Sequence, residues 1–209
     1  MAYDSIQDDL AFMRSMAEAG QRVPLSAGPY LVFGGLVFGG TSLLCYALFA
    51  AGMGGNTLLW TWIASLIVFG AGFPLVHRAA KTQPQSRAND TLGMVWTAIG
   101  WVIFACFLAA LASQYFYGAA DAWALFPSLV LALYGAGWVV TARVSRIMWL
   151  NSVAVGGFAM AVLIVPFERH AFLFVIYGLA ILLLSALPGW QLMREARRDG
   201  SRGHGAHCG

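Results

Sequence analysis

Apolar residues in this chain neither alternate with polar ones nor gather in a single helical stripe; they run in blocks of about twenty. Six such windows cover about 29–51, 57–76, 92–112, 122–142, 148–167 and 171–190. At 1.5 Å rise per residue, each comes close to the ~30 Å hydrocarbon thickness of a bilayer. Strands of a lipid-facing barrel would alternate apolar and polar side chains. Runs such as Leu129–Leu133 and Ala180–Leu184 do not. The pattern therefore predicts an all-α polytopic membrane protein with six transmembrane helices over 29–190. Residues 1–28 form a lead-in and 191–209 a basic, Gly/His-rich tail without apolar periodicity.

Within the lead-in, residues 5–19 do read as an amphipathic helix. Asp4 or Ser5 can cap it, and Asp8 and Asp9 complement the first-turn dipole. Ile6, Leu10, Met13 and Ala17 share one stripe, with Phe12 and Met16 on its flank. A helix lying on anionic lipid carries a Lys/Arg-rich polar face. This one has four acids over residues 4–18 and a single arginine. Ile6, Leu10, Phe12 and Met13 are thus candidate docking residues, facing either the bundle's own basic loops or a cytosolic or membrane protein partner.

Composition agrees with the pattern: of 209 residues, 60% are apolar and 10% charged. Soluble domains carry about 25% charged residues. A net charge of +3 on so apolar a chain gives no footprint for nucleic acid. Three cysteines exclude a disulfide scaffold. The acids before residue 20 do not suit a secretory leader, so the first span is expected to act as an uncleaved signal anchor.

Placing the charges gives a topology. The N-terminal segment, the 77–91 loop, the 143–147 turn and the tail together hold eleven Lys/Arg; the other side holds only Arg169. The positive-inside rule then puts both termini and both basic loops in the cytoplasm. Trp60, Trp62 and Trp123 fall near the outer interface, and Trp149 and Trp190 near the inner one. Trp101 and Trp138 fall deeper, where packing on glycines with the indole N–H bonded to a neighbouring helix is expected.

Small residues mark where helices can approach. Gly35 and Gly39 form the clearest GxxxG, and Gly156 and Gly157 form a similar notch. An offset of 65 residues lays Phe69-Gly-Ala-Gly-Phe73 on Tyr134-Gly-Ala-Gly-Trp138, Arg78 on Arg143, and Gly35 on Gly100. A parallel duplication of helical hairpins would produce this; so would chance in a Gly/Ala-rich chain. Gly35, Gly39, Gly70, Gly72, Gly135 and Gly137 are the candidate helix-packing residues, within one chain or, as a sharper reading, in a homo-oligomer. Pro74, Pro127, Pro166 and Pro188 lie near predicted span ends, where proline punctuates helices.

The chemical inventory is sparse. No Asp, Glu, Lys or Arg falls inside the six windows, whereas ion-coupled transporters and pumps place charges there. The hydroxyls of Thr41, Ser42, Ser65, Ser128, Thr141 and Ser185 are expected to bond to backbone of their own or a neighbouring helix. His77 and His170 fall at opposite faces, which does not suit a bis-His haem. Protease, esterase and C-x-x-C spacings are absent. His204, His207 and Cys208 lie in a tail expected to be disordered. Asp121, Glu168, Arg169 and His170 make up the ionisable outer rim, read as solvated turns more readily than as a site. No catalytic residue, cofactor or metal is therefore assigned. The expectation is a non-enzymatic scaffold or regulator that docks a partner. The alternative is a channel or uniporter for a neutral or apolar small molecule, which needs no buried charge.

The opening Asp8-Asp-Leu-Ala-Phe-Met-Arg-Ser-Met-Ala-Glu-Ala-Gly20, the small-residue first span, the Tyr134–Trp138 motif and the Arg143-Val-Ser-Arg146 turn resemble a family of six-helix bacterial inner-membrane proteins of the alphaproteobacterial type. The resemblance implies the six-helix topology and the membrane. It supplies no activity and no functional residues.

Overall fold

A computed structural model describes residues 27–80, 87–118 and 120–195. Among these, every regular element is helical. Helix α1 spans Gly28–Ala50, α2 Asn56–Ala80, α3 Arg87–Tyr117, α4 Phe126–Ser145 and α5 Leu150–Leu163. Helix α6 runs Phe172–Glu195, with a π-helical turn at Leu182–Ala186. Short 3-10 turns at Ala120–Trp123 and Val165–Phe167 lead into α4 and out of α5.

Five of the six, all but α5, are long and apolar enough to cross a bilayer. Helix α5 has 14 residues, a rise of about 21 Å. The 3-10 turn after it adds about 6 Å, so the two together nearly reach the hydrocarbon thickness. The predicted amphipathic helix at 5–19, with Ile6, Leu10, Phe12 and Met13, lies outside the described residues, as does the tail from 196 onward.

Helices begin and end for local reasons. Pro29 and Pro127 occupy the first turns of α1 and α4, where the missing N–H has no intrahelical partner to lose. Helix α1 stops at Gly52, whose φ of +81° is a left-handed conformation that favours glycine. Pro74 and Pro188 differ from expectation, because α2 and α6 run past them. Transmembrane helices tolerate interior proline when the freed backbone group finds another donor. In α6 it does: Pro188 cannot donate to the Leu184 carbonyl four residues back, and the Trp138 indole Nε1–H donates to it instead, at 2.7 Å.

The packing divides the helices into inner and outer sets. The most apolar 18-residue windows of α1, α4 and α6 are 39%, 39% and 44% buried within the protein; those of α2 and α3 are each 6%. Helices α1, α4, α5 and α6 form the compact centre. Helix α2 packs on α1, and α3 packs on α4. The outer helices α2 and α3 do not pack extensively on each other.

Candidate functional site

Close contact between helices in lipid requires small residues, and the candidate glycines show which faces meet. A Cβ at Gly35 would lie 2.7 Å from the Ala186 nitrogen, and one at Gly39 would lie 2.7 Å from Leu182 Cγ. Both glycines therefore seat α1 on α6, together with Gly28 against Gly189. Gly72 faces the Phe33 ring of α1, and Gly137 faces Trp96 and Ile99 of α3. These two are partners under the 65-residue offset, and each seats the second helix of a hairpin on the first. Their neighbours differ. Gly135 meets Phe158 and the Ala154 carbonyl of α5, whereas Gly70 meets nothing within 4 Å. The physical reason is that α4 is covered on its far side by α5, while among the described residues no helix covers α2 there. Gly35 and Gly100 also differ, since Gly100 faces open space.

Hydroxyls follow the same logic. Ser42 donates to the Phe174 carbonyl at 2.7 Å, Ser128 to Ala161 at 2.6 Å and Ser185 to Leu31 at 2.8 Å, each between helices. Thr41, Ser65 and Thr141 bond back to their own helices. Trp138 is fully buried and hydrogen-bonded across helices. Trp101, expected to be buried likewise, is 67% exposed and lies edge-on to Phe104.

The separation of α2 from α3 opens a cleft of about 870 Å³ between them, floored by α1, α4 and α6. Along α2 its wall is an aromatic stripe: Trp62, Phe69, Phe73 and His77 at helical spacing. Along α3 the wall is Asp90, Gly93, Thr97 and Gly100, then Phe104 and Phe107. Rings are tilted or edge-on to one another along the cleft, with Phe38 and Phe69 at 5.1 Å, Tyr30 and Phe73 at 5.3 Å, and Trp96 and Tyr134 at 5.5 Å. Fifteen residues separate Trp62 from His77, so the cleft extends about 22 Å along α2.

Polar groups gather at two levels. At the end nearer residues 81–86, the Tyr30 hydroxyl and His77 Nδ1 are hydrogen-bonded at 2.6 Å, with Asp90 on the facing helix. Deeper, Tyr134 and Ser185 both line the cleft, Ser185 within the π-helical turn with its hydroxyl donating to the Leu31 carbonyl. Such turns interrupt the regular backbone ladder and often mark functional positions. Among the described residues lining the cleft there is no Lys or Arg and one carboxylate. No group of three or more His, Cys, Asp or Glu side chains converges among the described residues.

Sequence reasoning missed Asp90 and the Tyr30–His77 pair. The apolar window opens at 92, but α3 begins at Arg87 and carries Asp90 onto the cleft wall. The recurrence Asp90, Gly93, Thr97, Gly100 at three- and four-residue intervals is a stripe that periodicity alone could have revealed.

Comparison with known proteins finds no matching family model, no similar curated protein and no similar solved structure.

Proposed function

We propose that this is a non-enzymatic integral protein of a bacterial inner membrane, with both termini cytoplasmic, that takes a neutral, largely apolar small molecule from the bilayer into the cleft between α2 and α3. One observation carries the reading: a cleft of about 870 Å³ with aromatic walls and a few polar groups, within the ~300–1,000 Å³ typical of small-molecule sites. Extended over about 22 Å along α2, the space is elongated and suits a chain-shaped molecule. A uniporter or carrier for such a molecule needs no ionisable group at mid-membrane, and the windows have none. The eleven-to-one division of Lys/Arg supports the orientation, and the resemblance to alphaproteobacterial-type proteins supports the inner membrane.

Docking of a partner through Ile6, Leu10, Phe12 and Met13 is compatible with this activity and rests on a separate segment. The cleft reading is tested by native mass spectrometry of the full chain released from membranes. The wild type should retain a small-molecule adduct that Gly100→Leu loses. Leucine there has room, since nothing lies within 4 Å of the Cβ position, and would occupy the cleft. An adduct retained equally by both proteins would sink the reading.

A further inference from the structure

Resting on the cleft reading, we infer that the occupant is a neutral, chain-bearing amphiphile whose hydroxyl or carbonyl head lies at the Tyr30–His77–Asp90 end and whose chain runs between α2 and α3 toward Trp62 and Phe107. The polarity of the cleft is graded along its length. Its far portion presents rings and aliphatic side chains, and one end presents a phenol, an imidazole and a carboxylate. A wholly apolar molecule would make no use of the donor and acceptor at that end, and a wholly polar one would desolvate along a mostly aromatic wall about 22 Å long.

The hydrogen bond between Tyr30 and His77 constrains the head. If the phenol donates to Nδ1, the imidazole keeps a free Nε2–H. If Nδ1–H donates to the phenol, the tyrosine O–H is free. In either tautomer the pair retains one donor beyond its own 2.6 Å contact. Asp90, exposed at the facing wall, is an acceptor. A donor on one wall and an acceptor on the other can each serve a hydroxyl head, and the donor can serve a carbonyl.

Charge at this end favours a neutral head. The described lining offers one carboxylate and no Lys or Arg, and an anion set beside that like charge is disfavoured.

The experiment uses the purified full chain in nanodiscs and two photoreactive probes of equal chain length. One is a diazirine-bearing long-chain alcohol, the other the matching alkyl sulfonate, with the diazirine next to the head in both. Labelled peptides are identified by mass spectrometry. The alcohol should label the segments around His77 and Asp90, and unlabelled alcohol should compete. The sulfonate should label them about tenfold less, the size of a single like-charge contact. Asp90→Asn should narrow that difference by raising sulfonate labelling while alcohol labelling holds, an effect that loss of folding could not produce. Gly100→Leu should suppress alcohol labelling about tenfold. Equal or stronger labelling by the sulfonate, or no narrowing in Asp90→Asn, would overturn the inference about the head and leave the cleft reading standing. Absence of labelling in the cleft by either probe would overturn both.

Discussion

Two adjacent glycines in α5 provide a controlled test of the packing. A Cβ at Gly157 would lie 2.8 Å from Gly135 Cα, 2.9 Å from Gly135 N and 3.2 Å from the Leu131 carbonyl, all backbone atoms of α4. A Cβ at Gly156 would lie 3.5 Å from the flexible end of Leu184. To restore ordinary contact at about 3.4 Å, Gly157→Ala must part α4 from α5 by about 0.6 Å. A gap of that size forfeits about a third of each affected dispersion contact; over about thirty atom pairs at ~0.15 kcal/mol, the loss is about 1.5 kcal/mol. Both substitutions gain the same helix propensity, ~0.8–1 kcal/mol, which cancels in the comparison. The two variants should therefore differ by about 1.5 kcal/mol, or roughly 3–6 °C in melting temperature for a chain of this size. Thermal unfolding in one detergent, followed by intrinsic tryptophan fluorescence, measures it. Gly157→Ala melting at or above Gly156→Ala would refute the reasoning that backbone contact between α4 and α5 is closed at this position.

Further outcomes are expected elsewhere. Trp138→Phe removes the donor to a Leu184 carbonyl that Pro188 already leaves without its helical partner, and should cost about 1–3 kcal/mol; adding Pro188→Ala should recover part of the loss, and wild-type-like melting of the single variant would contradict the pairing. Reporter fusions within 82–88 and after residue 209 should report the same side of the membrane, and opposite sides would break the six-crossing topology, since α5 is the shortest of its helices. Replacing Leu10, Phe12 and Met13 together by Asp should release crosslinked protein partners while the bundle melts as before; retention of every partner would remove the docking proposal.

The spans were legible in the sequence because a backbone in lipid has to satisfy its own hydrogen bonds, which forces long apolar helices with charges at their ends. The windows at 29–51 and 57–76 correspond to α1 at Gly28–Ala50 and α2 at Asn56–Ala80. The cleft was not legible, and Trp101 and Trp138 show why. Both are tryptophans deep in apolar runs, yet one is exposed and the other buried. In water, burial sorts apolar from polar side chains; in a bilayer the surroundings are as apolar as the core, so the sequence does not mark which face meets protein. Asp90 was not legible for a related reason: a hydropathy window ends where polar residues begin, while helix α3 continues back to Arg87. Glycines were readable as sites of close approach but not by partner, since Gly70 and Gly135 match under the 65-residue offset and, among the described residues, Gly135 alone of the two has a helix against it.

Helices α2 and α3 stand apart, and the proposed occupant lies between them. An electron cryo-microscopy map of the full chain in lipid nanodiscs is the direct test. An elongated density of about 22 Å is expected between Phe69 on α2 and Phe104 on α3, with its polar end beside His77. A map in which α2 closes onto α3, bringing the Phe69 and Phe104 rings into contact and leaving no space between the helices, would contradict it.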